Sequence, residues 1–204
     1  MTATLPAAAV PVLGDAPIDD PAVLAASWLP PLGAEPLRMT LSTIDADGFP
    51  RARTVLLSEF DGERFFFHTD ALSRKVADLA ANPRVALTVL WPDFSRQLVV
   101  QGTATPAPAA ELADAFQRRS PYLKQLAWQN TDEYAQLPLP EREDEWARFY
   151  AEVPEPAQPQ GWAGYGVLPH RMLFWAAHPA GESAARRVEY VRDGAGWARR
   201  YLPG

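Results

Sequence analysis

Phe65-Phe-Phe-His-Thr69-Asp-Ala-Leu-Ser73-Arg-Lys75-Val-Ala-Asp-Leu79-Ala is the stretch on which the reading of this chain turns, because its hydrophobic period changes halfway along. Three phenylalanines followed by His68 and Thr69 read as a short buried strand. From Ser73 onward, Val76, Leu79 and Ala80 recur at three and four positions. Ser73 to Ala81 therefore reads as a helix, capped by Ser73 and stopped at Asn82-Pro83. The junction between strand and helix is where chemistry concentrates. First-turn N–H groups have no intrahelical partner and the helix dipole is positive there, so the junction attracts anions. A hydroxyl, an arginine and a lysine at this point make a phosphate clamp; an ordinary capped surface helix fits the same residues.

Upstream, Leu37, Met39, Leu41 and Thr43 alternate as one face of a half-buried strand, and Asp45-Ala-Asp-Gly48 turns the chain. Pro50 to Phe60 reads as the next strand, with Val55 and Leu57 on one face and Thr54 and Leu56 on the other. Asp61-Gly62 signals a hairpin. Residues 1–20 read as a mobile arm. Asp19-Asp20-Pro21 starts a helix that Pro30-Pro31 ends.

Downstream, Val85–Trp91 and Gln97–Ala104 read as strands turned by Pro92-Asp93. Helices are expected over Ala109–Arg118 and Glu141–Val153, and 154–160 is a Pro-rich linker. Four short strands follow, over Tyr165–Leu168, Met172–Trp175, Val188–Arg192 and Trp197–Leu202. Two hairpin pairs around one short helix, then more strands, predict a mainly β fold: a small antiparallel barrel with peripheral helices. Residues 21–204 are expected to form a single domain.

Of the 204 residues, 48% are hydrophobic, enough for one sizeable core. The net charge of -6 makes nucleic acid a poor partner. There are no cysteines, which excludes disulfides and thiolate chemistry. His68, His170 and His178 lack metal-ligand spacing, so no metal site is expected. No apolar run reaches membrane-spanning length and no signal peptide is evident, so a cytoplasmic protein without membrane partners is expected. Only Lys75 and Lys124 are lysines. The arginine bias fits anion capture, and base-composition bias fits it as well. Arg53 sits inside a strand, where a barrel-facing guanidinium is costly unless paired with an anion. Ser95-Arg96-Gln97 opens another strand with a second polar cluster. The carboxylates of Glu141–Glu145 read as a solvated helix face.

Together these segments resemble the pyridoxamine 5'-phosphate oxidase family. The matching pieces are Arg53-Thr-Val-Leu-Leu57, His68-Thr69 with Ser73-Arg74-Lys75, Asn82-Pro83-Arg84-Val85, and Arg96-Gln97 with Gly102. The C-terminal pieces are Trp162-x-Gly164-Tyr165, Phe174-Trp175 and Trp197 through Leu202-Pro203. The resemblance covers Leu37 to the C-terminus. It implies an FMN-binding split β-barrel, six-stranded, antiparallel and Greek-key-like, with 161–204 as a dimerisation region. It also implies a homodimer sharing two FMN sites. Carried over, Arg53, Arg74 and Lys75 hold the FMN phosphate. Thr69 and Gln97 line the flavin, Val55 and Leu56 give backbone or apolar contacts, and Trp175 and Arg187 reach the partner's flavin. Thr54, Ser58, His68 and Ser73 belong to the same cofactor segments.

The substrate side departs from the family pattern. Ser58 stands where the family has a lysine, and Ala115 and Leu123 where it has tyrosine and serine. Arg119 matches a substrate-phosphate arginine. Ser183-Ala-Ala-Arg186-Arg187 replaces Arg-Leu-His-Asp-Arg, and a longer approach from Trp175 leaves Arg186 and Arg187 as alternatives for the flavin ligand. Trp128-Gln-Asn-Thr-Asp132-Glu133 replaces another flavin-contact segment. The expected function is an FMN-dependent oxidoreductase in which flavin accepts a hydride from a small organic substrate. Alternatives are a genuine pyridoxine/pyridoxamine 5'-phosphate oxidase with an altered pocket, a flavin-binding protein without turnover, and a deazaflavin-binding relative.

Overall fold

In a computed structural model of the chain, Leu13, Ile18–His178 and Ala180–Gly204 are described. The elements run α1 (Pro21–Trp28), β1 (Leu37–Ile44), β2 (Pro50–Leu57), β3 (Glu59–Phe60), β4 (Phe65–Asp70), α2 (Arg74–Ala81), β5 (Arg84–Leu90) and β6 (Arg96–Pro106). They continue with α3 (Ala109–Gln117), α4 (Pro121–Gln129), α5 (Asp132–Gln136), α6 (Leu139–Glu152), β7 (Trp162–Ala176), β8 (Arg186–Asp193) and β9 (Gly196–Leu202).

The strands form one antiparallel sheet in the order β2-β1-β5-β6-β7-β4-β3, with β8 added to β7 and β9 to β8. The run from Pro50 to Phe60 joins the two ends of this order. Through Leu57 it pairs with β1; at Ser58 it changes partner, the Ser58 N–H donating to Phe66 O at 2.9 Å, and Glu59 and Phe60 pair with β4. Six strands thus curl into a barrel, and the switch at Ser58 lies at its seam. Alternation expected in β1 is observed: Met39, Leu41 and Thr43 point into the core. Inward side chains of β4 to β8, among them Phe65, Phe67, Leu98, Met172, Phe174 and Tyr190, complete it.

Two of the short strands read from sequence are one. β7 runs 15 residues through Pro169. The pairing with β6 slips between Gln101 and Gly102, which face Arg171 and Pro169, so His170 is the extra residue of a bulge. On its other edge, β7 pairs with β4 up to Val167 and with β8 from Arg171. Pro169 therefore sits where neither neighbour asks it for an N–H. Gly102 permits the close approach: a Cβ there would lie 2.3 Å from Leu168 O.

Asp20 caps α1 through the Ala22 N–H at 2.8 Å, as its sequence implies, and Trp28 meets Trp91 and Phe174 edge-on beneath the barrel. The expected arm over residues 1–20 lies mostly outside the described residues. At its described positions, Leu13 joins the core and Ile18 O accepts from Tyr190 Oη at 2.6 Å. Helices α4 and α5 were not expected, and α6 starts at Leu139 rather than Glu141. Ser120 and Thr131 cap the two short helices, and rings of Tyr122, Tyr134 and Trp146 hold them to α6. No helix among the described residues is long and apolar enough to cross a membrane.

One buried carboxylate ties α2 to the barrel. Asp78, 4% exposed, accepts from Thr43 Oγ1 at 2.7 Å, Arg53 Nη2 at 3.2 Å and Arg51 Nη1 at 3.3 Å. Replacing it strands the Arg53 guanidinium at a partly desolvated site, while Arg51 keeps Asp45 at 3.0 Å. Asp78→Ala is expected to lower stability by about 3 kcal/mol, read as a shift of the urea midpoint with an unchanged m-value; a shift no larger than that of an exposed-site control would contradict the role given to Asp78.

Candidate functional site

The strand-to-helix junction gathers cations. Arg53 projects from β2 on the same face as Leu41, bonding Leu41 O at 3.2 Å and Thr43 Oγ1 at 2.7 Å besides Asp78. Lys75, half-buried, donates to Thr69 Oγ1 at 2.7 Å and to Ser73 Oγ. Both hydroxyls accept from Lys75, so their own hydrogens are left to point elsewhere. Ser73 holds the N-cap position of α2, yet its side chain makes no capping bond. Burial, and then the charge of Arg53, push the Lys75 ammonium below the usual lysine range. Arg74 is exposed, with no ion pair to a described residue. Arg51, Arg53, Arg74 and Lys75 against Asp45, Asp70 and Asp78 leave cationic charge in excess. A bound anion here would offset both the desolvation and the like-charge repulsion.

A second group lines a cavity of about 490 Å³ between β1–β2 and α3–α4. Leu56, Ser58, Ala115, Arg119 and Leu123 all reach it, as do Arg38, Arg118 and Tyr122. Three of the positions that depart from the family pattern, Ser58, Ala115 and Leu123, are thereby brought to one place. Arg118 is neutralised by Glu59 at 2.7 Å. Arg119 has no carboxylate partner among the described residues; its guanidinium lies 4.3 Å from the Trp162 ring centroid, and burial pushes its pKa down to about 10. A cation so placed favours an anionic ligand. Behind Ser58 stands His68, its Nδ1 2.8 Å from Ser58 Oγ and its Nε2 3.1 Å from Glu111 Oε2. Its side chain is fully buried, and the ring stacks flat on Trp162 at 5.0 Å.

A third group lies on the outer face near the far end of β7. Gln97 faces Trp175 and Trp175 faces Arg187 across successive strands, so the three side chains share one row. Sequence reasoning put Gln97 with Thr69, but Thr69 pairs with Ala163, twelve residues of β7 away from Trp175. Arg186 points to the other face, its Nη1 donating to Leu13 O at 2.9 Å and its guanidinium lying over Tyr201. Arg187 is the one that shares a face with Trp175. Thr54 faces Thr40 on the outer side of β2, whereas Val55 faces Met39 and packs on the core.

Glu111 and Trp162 carry more of the site than the sequence disclosed. Glu111 sits in the first turn of α3, 43 residues from His68, and only the folded packing joins them. Among the described residues no three metal-ligating side chains converge.

The sequence profile described as pyridoxamine 5'-phosphate oxidase matches residues 31–153. A pyridoxine/pyridoxamine 5'-phosphate oxidase of Anaeromyxobacter dehalogenans is 42% identical over 164 residues, covering 77% of this chain and 79% of the relative. One from Bordetella petrii is 38% identical over 168 residues, covering 80% and 78%. Among solved structures, PhzG from Burkholderia lata 383, in complex with tetrahydrophenazine-1-carboxylic acid, superposes with a TM-score of 0.79 at 25% identity, over 97% of this chain and 100% of that one. A pyridoxamine 5'-phosphate oxidase-related, FMN-binding protein of Nostoc punctiforme shares the fold, with a TM-score of 0.67 at 16% identity over 82% and 88%. The barrel is the split β-barrel of these proteins, and the chain belongs to the pyridoxamine 5'-phosphate oxidase family.

Proposed function

We propose that this chain is an FMN-dependent oxidoreductase, working as a homodimer, that oxidises a small ring compound bearing a carboxylate. The cation excess at the α2 N-terminus fits a phosphate. Arg53, Thr69, Ser73, Arg74 and Lys75 hold it, with Thr54, Val55, Leu56, Ser58 and His68 following along the adjoining strands. FMN held there supplies a ring that takes a hydride, and the protein binds, orients and excludes water. Gln97, Trp175 and Arg187 lie at the other end of β7 from Thr69, a separation of roughly 40 Å along a straight strand. A second copy of the chain brings that row to the flavin.

The observation that carries the substrate reading is Arg119. It is the cavity's one half-buried guanidinium without a carboxylate partner among the described residues, and Ala115, Leu123 and Leu56 around it are apolar. A planar carboxylate meets one guanidinium with two parallel hydrogen bonds, while a ring fills the apolar remainder. The ring carboxylate bound by PhzG supports this reading. The names of the curated relatives favour a second reading, oxidation of pyridoxine or pyridoxamine 5'-phosphate. Against it stands the loss of lysine, tyrosine and serine donors at Ser58, Ala115 and Leu123.

Three outcomes are expected. Arg74→Ala weakens FMN binding by about 1.5–3 kcal/mol, while riboflavin, lacking the phosphate, binds wild type and variant alike in fluorescence titrations. An equal loss for riboflavin would make Arg74 structural. In sedimentation the protein runs as a dimer, and Arg187→Ala loses flavin without changing that mass; tight flavin binding by a monomer would contradict the shared site. Under anaerobic conditions tetrahydrophenazine-1-carboxylate bleaches the flavin absorbance, and Arg119→Ala raises the concentration needed by about tenfold or more. Faster bleaching by pyridoxine 5'-phosphate than by any ring carboxylate would establish the second reading instead.

A further inference from the structure

We infer that Ser58, His68 and Glu111 form a proton relay opening onto the cavity, with Ser58 Oγ as the group that takes a proton from the substrate. The inference rests on the proposed reading of the cavity as a substrate site and adds a requirement to it. The carbon that gives up hydride must adjoin an N–H or O–H bond.

The geometry sets the direction of the relay. Glu111 Oε2 lies 3.1 Å from His68 Nε2, and a carboxylate only accepts, so Nε2 carries the ring proton. Nδ1 is then bare and accepts the Ser58 hydroxyl hydrogen at 2.8 Å. Ser58 is the one residue of the three that lines the cavity, and its Oγ keeps lone pairs after donating to His68. The imidazole cannot turn away. Trp162 stacks on it at an interplanar angle of 3°, and Gly164 crowds its other neighbours so closely that a Cβ would lie 2.7 Å from His68 Cδ2. The groups around the ring are Ser58, Glu111, Leu112, Trp162 and Gly164. Of these only Glu111 is an acid, and its Oε1 is buried with no hydrogen-bond partner among the described residues. That oxygen is left without the hydrogen bond a buried carboxylate oxygen ordinarily has.

The balance closes with one hydride and one proton. The substrate's C–H electron pair leaves with its hydrogen as hydride, for which FMN bound at the proposed site would be the acceptor. The electron pair of the adjoining N–H or O–H bond stays to make C=N or C=O. The freed proton passes to Ser58 Oγ as that hydroxyl gives its own to His68 Nδ1, and Glu111 neutralises the imidazolium. Ser58 touches the substrate; His68 and Glu111 are positioning residues.

Two measurements on the full chain test this. In protein labelled with ¹⁵N-histidine, His68 should show a protonated Nε2 and a bare Nδ1, with the Nδ1 resonance moving in Ser58→Ala. The opposite tautomer, Nδ1 protonated toward Ser58, would overturn the relay whatever ligand binds. The second uses 4-hydroxy-3-nitrobenzoate, whose carboxylate suits Arg119 and whose nitrophenol absorbance reports its ionisation. Bound to wild type, the phenol should be ionised. In Ser58→Ala and in the isosteric Glu111→Gln its ionisation equilibrium should fall by about tenfold, the worth of one charge-assisted hydrogen bond, while 3-nitrobenzoate binds all three proteins equally. Ionisation unchanged in both variants would assign the effect to the arginines and sink the relay. Failure of 3-nitrobenzoate to bind wild type would instead defeat the ring-carboxylate reading, leaving the relay to be decided by the histidine spectrum.

Discussion

The buried carboxylate of Asp78 is the interaction on which the arrangement depends. It lies on the inner side of α2 and draws Thr43 from β1 and both Arg51 and Arg53 from β2. A single charge thereby fixes the helix on the barrel and aims Arg53 towards the end of α2 that carries Lys75. Without it, the cations at the junction would repel one another across a flexible surface. With it, like charges are held together in advance, and that preorganisation is what an anion site requires. Sheet closure serves the same end. The chain changes partner at Ser58, so one continuous run links β2, which carries Arg53, to β3, which pairs with the Thr69-bearing β4.

Much of this was legible in the sequence because the signals were local. The period change at Ser73, the alternation through Leu41, and the Asp-Gly turns each depend on a few residues. The family-like clusters kept their order, and the structure brings Arg53 and Lys75 together as that order implies. What was illegible depended on long-range geometry. Pro169 looks like a strand terminator, and only the bulge and the change of neighbour from β4 to β8 explain its place inside one long strand. Gln97 and Thr69 are both polar residues on barrel strands, yet the register sends them to opposite ends of β7. Glu111 reads as an ordinary first-turn acid until α3 is laid against β4.

The two ends of the proposed site differ in chemistry. The phosphate end keeps its hydroxyls and cations. The cavity presents Ala115, Leu123 and Ser58 where the family resemblance implies tyrosine, serine and lysine, with Arg119 beside them. A serine at the seam is not simply a truncated lysine, because its hydroxyl is tied into His68 and Glu111. On the proposed reading, a serine here gives up a charge that would hold a phosphate and supplies a hydroxyl tied to His68 and Glu111.

The most direct measurement is a crystal structure grown with FMN. The account predicts the phosphate against Ser73, Arg74 and Lys75 of one protomer, the flavin ring reached by the partner's Trp175 and the partner's Arg187, and the cavity of Ser58 and Arg119 open beside the ring. A flavin held wholly within one chain, or a phosphate seated on Arg119, would contradict it.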